Sequence, residues 1–489
     1  MGTQNRRTST QNENLWGWWE DDTILSGRGD DTLAGAQGHD TIYGGDGDDW
    51  IRDYTWSYAG GSVVVDRPGR GEYAHDAAPL DRNGVDYHES GNDRFYGEGG
   101  NDALAGFSGH DLLDGGDDDD TLWGGTGRDT LRGGDDNDEL FGNEGDDSLS
   151  GGAHADTLSG GSGDDTIDGG SGRDLLTFEA HVMRGGDHLV VDLADEGGDG
   201  RAQLIFDGDP DGPQSETDLL RGIEDVTGGY AGDEIRGNAA ANRLSGGDGD
   251  DVLMGRRGND TLEGGEGIDR ADYSYIGAGA SGSLLAGLEG VTVVLGTATE
   301  AGRSSYAWTR YNPAGYVTEA DQDLITGIEN VTGSGYADTL TGNGEANDLA
   351  GLAGHDLLDG GAGSDTLTGG AGHDTLVGGA GTDILDGGAG QDVFRFEAAS
   401  DSPTNPVSPG RGSDLILGFQ DDASGHDLID LSRLGVTAAD LGFLTLRDPA
   451  QGGAIVSMMT VNTDDDLASE LTIRFDRVIP TLDAGDVLF

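Results

Sequence analysis

At 489 residues the chain is long enough for about two to four ordinary domains, yet only 34% of it is hydrophobic and 93 residues are glycine. A formal net charge of −67 excludes nucleic acid and anionic membrane as partners, and the absence of cysteine excludes disulfides and thiolate metal sites. By composition alone such a chain stays disordered, because too little apolar surface is available to offset the entropy of ordering; another driving force has to be present.

The N-terminal stretch "MGTQNRRTSTQNENLW" is polar and lacks the apolar core of a signal peptide. Trp16, Trp18 and Trp19 gather just ahead of the first regular pattern and are expected to cap it, a carbohydrate-stacking platform being the alternative. No apolar run in the chain is long enough to span a bilayer. All 27 basic residues are arginine, so no lysine is available for acylation.

From Asp22 onward a nine-residue unit repeats, G-G-x-G-x-D-x-U-x, with U a large apolar residue. The first block, within residues 1–52, carries Asp22, Asp31, Asp40 and Asp49, with Ile24, Leu33, Ile42 and Ile51 two places later. Residues 53–87 interrupt the pattern. The main block, 88–177, runs unbroken through Asp93, Asp102, Asp111, Asp120, Asp129, Asp138, Asp147, Asp156, Asp165 and Asp174, its apolar partners running from Phe95 to Leu176. After an interruption at 178–232, the block 233–272 carries Asp233, Asn242, Asp251, Asp260 and Asp269. A further interruption at 273–332 precedes the block 333–395, with Asp338, Asn347, Asp356, Asp365, Asp374, Asp383 and Asp392. Ala271 alone breaks the apolar rule.

A period of nine is neither helical nor a simple strand alternation, so each unit is read as a short strand plus a turn. In x-U-x the middle side chain points inward and its neighbours outward. The glycines supply the positive φ angles of the turn, and two units complete a coil of eighteen residues. Parallel coils stack about 4.7–4.9 Å apart, so aspartates eighteen residues apart lie one above another. Unpaired carboxylates at that spacing repel, and a cation between them reverses the sign. Calcium takes oxygen ligands at about 2.3–2.6 Å, half the coil spacing, whereas magnesium demands shorter bonds and keeps its water. Counting pairs eighteen residues apart predicts about 18 interlocked ions, with the end turns of each block, Asp93 and Asp102 among them, lacking a neighbour.

The unit resembles the hemolysin-type calcium-binding repeat of the RTX (repeats-in-toxin) proteins. That resemblance implies an all-β fold, a parallel β-roll (β-solenoid) of nonapeptide repeats with calcium in its turns. G-G-x-G-x-D would form the calcium turn and x-U-x the strand. The aspartates named above, with main-chain carbonyls of their turns, would be the ligands. Asn242 and Asn347 lose a charge, and their sites are expected to empty first. His154, Asp118 and Asp136 replace a turn glycine.

Two interruptions are related: "DLLRGIEDVTGGYAGDEIRGN" (218–238) parallels "DLITGIENVTGSGYADTLTGN" (323–343). They read as coils that continue the roll without a proper calcium turn. Val226 and Val331 fall at core positions, and Glu224 and Glu329 stand where aspartate would. Residues 396–489 begin with a proline-rich linker, "DSPTNPVSPG", and continue with "DLILGFQDDASGHDLIDLSRLG", which resembles the region that closes many RTX rolls. The terminal "LDAGDVLF", with Asp486 before three apolar residues, resembles the uncleaved signal of type I secretion.

None of the ten histidines has H-E-x-x-H spacing, and no G-x-S-x-G elbow occurs. His39, His110, His355 and His373 fall at the variable fifth position of the repeat and read as exposed turn residues. The chain is therefore expected to be no enzyme. The reading is a secreted, extracellular bacterial protein folded by external calcium, structural or adhesive at the cell surface or in the matrix. Its expected partners are calcium ions, the type I secretion machinery and a surface or matrix component. The alternatives are a non-catalytic RTX tail-like protein, or a secreted enzyme with a site hidden in the inserts. Because the sequence enters the repeat soon after Met1, no separate catalytic domain is expected ahead of it.

Overall fold

In a computed structural model the described residues are 12, 14–17, 22–35, 39–52, 91–178, 188–193, 199–205, 215–276, 290–296, 301–312, 315–398, 414–422, 425–438, 441–448, 454–461, 471–476 and 486–489. Trp18 and Trp19, the interruption 53–87 and the proline-rich linker lie outside them. The chain divides into two compact units, Met1–Asn238 and Ala239–Phe489. All regular elements among the described residues are strands, so no helix among them is long and apolar enough to cross a membrane.

In the first unit the repeats coil into two parallel ladders. Thr130–Asp135 lies between Leu112–Asp117 and Ser148–Ala153, with Leu131 opposite Leu113 and Leu149. On the other side Glu139–Glu144 lies between Thr121–Gly127 and Thr157–Ser162, with Leu140 opposite Leu122 and Leu158. These leucines stack in two facing columns and are completely buried or nearly so. Strands are longer than x-U-x. In "TLRGGD" the parallel register passes over Gly133 and resumes at Gly134, which lies opposite Gly152, and at Asp135, opposite Ala153.

The first two blocks form one roll. Thr41–Asp46 pairs directly with Arg94–Gly99, placing Ile42 opposite Phe95, and Ile51 lies opposite Leu104. Asp93 and Asp102 are therefore not end turns: the Asp40 and Asp49 N–H groups donate to them across the interruption. The expectation failed because periodicity cannot see past an insert that rejoins in register.

The interruption after Asp174 adds an antiparallel excursion to one ladder. Ser215–Arg221 returns in parallel onto Thr166–Ser171, while Gly200–Ile205 runs antiparallel between it and His188–Asp192. His188–Asp192 then pairs in parallel with Glu234–Arg236. Val226 lies opposite Leu176 in the core.

The second unit repeats this plan. Leu324–Thr326 returns in parallel onto Thr261–Glu266, Gly302–Asn312 runs antiparallel to it and to Thr292–Val294, and Thr292–Val294 pairs in parallel with Thr339–Thr341. Val331 lies between Ala271 and Leu349 and is fully buried. Regular coils then run to Phe394. Beyond them Leu415–Leu417 and Leu428–Asp430 each add a parallel strand. Leu471–Phe475, Ala454–Val461 and Leu441–Asp448 follow as an antiparallel meander on one ladder, and Val487–Leu488 ends the other. The rings of Phe394, Phe419 and Phe475 pack at 6.0 and 5.3 Å under this cap. An open last coil would expose unpaired backbone and apolar core together, so a cap of this kind is required.

Candidate metal centre

Every repeat aspartate is buried at the entry to its strand. The main-chain N–H of Asp111 donates to Oδ1 of Asp129 over 2.7 Å, and the N–H of Asp129 donates to Oδ1 of Asp147 over 2.7 Å. The same bond links Asp22 to Asp40, Asp31 to Asp49, Asp93 to Asp111, Asp102 to Asp120, Asp120 to Asp138, Asp138 to Asp156, Asp147 to Asp165 and Asp156 to Asp174. In the second unit it links Asn242 to Asp260, Asp251 to Asp269, Asp338 to Asp356, Asn347 to Asp365, Asp356 to Asp374, Asp365 to Asp383 and Asp374 to Asp392. Each carboxylate thus spends one oxygen on an N–H of the coil before it. Sequence reasoning, which pictured carboxylate facing carboxylate, missed this division of labour.

The second oxygen has a different setting. Oδ2 of Asp120, Asp129, Asp138, Asp147, Asp156, Asp165 and Asp174 is buried without a hydrogen-bond donor, as are those of Asp356, Asp365 and Asp374. It points back across its own turn. A Cβ added to Gly124 would stand 2.6 Å from Oδ2 of Asp129 and 2.8 Å from the carbonyl oxygen of Gly142 in the next coil. One added to Gly369 would stand 2.6 Å from Oδ2 of Asp374 and 2.7 Å from the Gly387 carbonyl. The first glycine is needed for this closeness, not for its φ. In the same turn Gly125 (φ 112°) and Gly127 (φ 135°) are the ones that need positive φ.

Buried anionic oxygens beside main-chain carbonyls, with no donor between them, suit a hard cation. Among the described residues no three acidic or histidine side chains gather around one point, so main-chain carbonyls have to supply much of the coordination. Burial, reinforced by neighbouring aspartates and opposed by the N–H bonds, raises Asp102 to about 9, Asp120 to about 8 and Asp147 to about 7. At neutral pH these groups need either a proton or a metal.

Asp118, Asp136 and His154 adopt φ angles of 78°, 80° and 82°. Their turns keep the common geometry, with N–H bonds of 2.7, 2.9 and 2.9 Å onto Asp120, Asp138 and Asp156. Left-handed backbone is accessible enough to these residues for the turn to close.

Three positions are satisfied differently. Asp233 receives the Leu189 N–H on Oδ1 at 3.0 Å and the Gly229 N–H on Oδ2 at 2.9 Å. Asp338 receives the Val291 N–H and the Ser334 hydroxyl on Oδ1, each at 2.7 Å, and the Ser334 N–H on Oδ2 at 2.6 Å. Asn347 accepts from the Asn343 N–H at 2.9 Å and donates to the Glu329 carbonyl at 2.7 Å. Here the protein's own donors and acceptors occupy the side chain.

Four aspartates absent from the repeat pattern join the ladder. Asp218, Asp323, Asp414 and Asp427 accept from the N–H groups of Asp165, Asp260, Asp383 and Asp392 at 2.8–3.0 Å. Each is followed two places later by a buried apolar residue, Leu220, Ile325, Ile416 or Ile429. That signal was in the sequence, but off the eighteen-residue interval, and only Asp414, in "GRGSD", keeps two of the turn glycines. Glu224 and Glu329 accept from Asp174 and Asp269 at 3.0 and 2.9 Å, in the places their register assigns. The exposed histidines carry a second ladder outside the first: the Arg128 N–H donates to Nδ1 of His110, and that of His373 to Nδ1 of His355, each at 2.8 Å.

The RTX calcium-binding nonapeptide repeat (4 copies) matches residues 15–51, 89–122, 114–149, 141–176, 227–262, 236–271, 325–358 and 359–394. Curated proteins yield no match. Among solved structures, the AlgE6R3 subunit of the Azotobacter vinelandii mannuronan C5-epimerase is 28% identical over 32% of this chain and 78% of its own, with a TM-score of 0.18. The AlgE6R2 subunit of the same epimerase is 27% identical over 33% of this chain and 92% of its own, with a TM-score of 0.19.

Proposed function

Because the chain belongs to the RTX calcium-binding repeat family, we propose that it is exported unfolded through a type I secretion machinery and folds outside the cell when calcium fills its turns. Its role there is structural or adhesive, at the bacterial surface or in the matrix, and non-catalytic. The observation that carries this reading is the donorless Oδ2 of the repeat aspartates from Asp120 to Asp174 and from Asp356 to Asp374, exemplified by Asp129 and Asp374, buried beside the Gly142 and Gly387 carbonyls. Without metal, the buried carboxyls stay in the fold only by taking up protons, since as anions they repel along both turn edges of the roll. With metal, binding free energy becomes folding free energy. Each coil touches only its neighbours, so one ordered turn assists the next and the transition is cooperative. Scarce cytosolic calcium keeps the chain extended for export, and abundant external calcium folds it on arrival.

Calcium titration of the full chain, followed by circular dichroism, tests this. The expected result is a disordered spectrum in excess chelator and a steep conversion to β structure as calcium rises. A β-rich spectrum already present in excess chelator near neutral pH overturns the folding switch.

A further inference from the structure

Gly124 stands two places after the inward Leu122 and faces Oδ2 of Asp129, which ends the same turn. In the second unit the corresponding place, two after the buried Ala271, belongs to Tyr273. Its backbone keeps the glycine's part. The Tyr273 N–H donates to the Thr332 carbonyl at 2.8 Å, as those of Gly333 and Gly351 donate to the Ala350 and Thr368 carbonyls in the coils that follow. The turn that opens at Tyr273 contains the insert and closes at Asp323, two places before the inward Ile325. Tyr273 and Asp323 are thus the counterparts of Gly124 and Asp129.

Here the two side chains meet. Tyr273 is 1% exposed and Asp323 3%. The Tyr273 hydroxyl donates to Oδ2 of Asp323 at 3.2 Å. Ser304, on the antiparallel strand Gly302–Asn312 beside it, donates to the same oxygen at 2.7 Å. Oδ1 keeps its usual bond, from the Asp260 N–H at 3.0 Å. The oxygen that is donorless at Asp129 therefore has two hydroxyl donors at Asp323, and a phenol stands where glycine keeps space open.

We propose that Tyr273 and Ser304 replace the calcium ion of the turn ending at Asp323, so that this turn closes without metal. It then holds the insert of the second unit to the roll at calcium levels too low to fill the repeat turns. The inference rests on calcium-driven folding and adds a starting point to it. Asp338, at the far side of the insert, is likewise met by the protein's own donors, the Val291 N–H and the N–H and hydroxyl of Ser334. Ordering the insert thus buries two carboxylates that are already satisfied, whereas a turn such as that of Asp365 brings in an oxygen that needs a cation. Folding of the second unit starts at the insert and spreads into its neighbouring coils as calcium rises. Phe178 holds the equivalent place after Leu176 in the first unit but carries no hydroxyl, so the proposal is confined to Tyr273.

Hydrogen–deuterium exchange of the full chain, read by mass spectrometry at a series of buffered calcium concentrations, tests it. Amides of Leu324–Thr326 and Thr339–Thr341 are expected to gain protection at about tenfold lower calcium than those of Thr366–Gly372 and Thr375–Val377. Tyr273→Phe and Ser304→Ala each remove one hydroxyl with little change of shape, and are expected to raise the midpoint of the insert to that of the repeats. Asp365→Asn is expected to raise the midpoint of the repeats and leave that of the insert in place. Insert and repeats gaining protection together in wild type, or an insert midpoint unmoved in both hydroxyl variants, overturns the metal-free turn and leaves calcium-driven folding standing. Repeats already protected in excess chelator overturn calcium-driven folding and this inference with it.

Discussion

The Asp111 N–H donates to Oδ1 of Asp129 over 2.7 Å and leaves Oδ2 of the same carboxylate facing its own turn without a donor. One side chain thus does two jobs, a hydrogen bond between coils and an anionic oxygen for a metal. The jobs are separable. Asp129→Asn keeps an acceptor for the N–H but removes the charge, whereas Asp129→Ala removes both. Both variants are expected to raise the calcium midpoint of folding, and alanine by more, since a lost hydrogen bond to a charged group is worth about 1.5–3 kcal/mol. Equal midpoints for the two variants, measured by circular dichroism, would show that the Oδ1 bond contributes nothing.

The first turn glycine is a steric requirement. A methyl at Gly124 enters the space between Oδ2 of Asp129 and the Gly142 carbonyl. Gly124→Ala is expected to reduce the number of bound calcium ions while the leucine columns stay packed. Metal counting at saturating calcium checks this; wild-type stoichiometry would count against the cradle.

Protons are expected to substitute for calcium. The carboxyls of Asp102, Asp120 and Asp147 lie near 9, 8 and 7 in the fold, against an ordinary value near 4 in the unfolded chain. A raised folded-state pKa means the fold binds the proton more tightly. Its contribution is fully present below the unfolded value and is lost as pH rises through the folded one. Acidifying the calcium-free chain from about pH 9 to pH 5 should therefore increase its β structure, and calcium affinity should fall over the same window as protons compete. Circular dichroism in chelator across that range is the check; no gain of structure on acidification would contradict the burial of these groups.

Asn347 points to a gain-of-function test. Its amide accepts from the Asn343 N–H and donates to the Glu329 carbonyl. Asn347→Asp replaces the donor with an oxygen that faces that carbonyl, a pairing that calls for a cation. The variant is expected to bind one more calcium ion than wild type and to be less stable in chelator. Unchanged stoichiometry would show that the site cannot be restored by charge alone.

The C-terminal residues need a finer probe than deletion. Val487 lies opposite Ile429, and the Leu431 N–H donates to the Leu488 carbonyl at 2.9 Å, so removing 486–489 opens the last coil as well as deleting a signal. The side chains of Leu488 and Phe489 are substantially exposed. Substituting both by alanine is expected to leave the calcium response intact and to keep the protein inside the cell. Normal export of that variant would refute the secretion reading.

Much of the roll is legible in the linear pattern, because its period is local. An aspartate at Asp129, an inward leucine at Leu131 and the glycines between successive strands dictate turn, strand and core within nine residues, and two such units must stack in parallel. What periodicity does not carry is anything that depends on where an insert returns. Asp40 meets Asp93 across an interruption, and Asp218, Asp323, Asp414 and Asp427 enter the ladder at intervals set by loop length. Nor does composition reveal which aspartates the protein itself satisfies. Asp233 and Asp338 read like their neighbours, yet the Leu189 and Val291 N–H groups that occupy them belong to residues more than forty positions earlier. The pattern places a carboxylate at each turn; only the register of distant strands decides whether an N–H already meets it or a cation is needed.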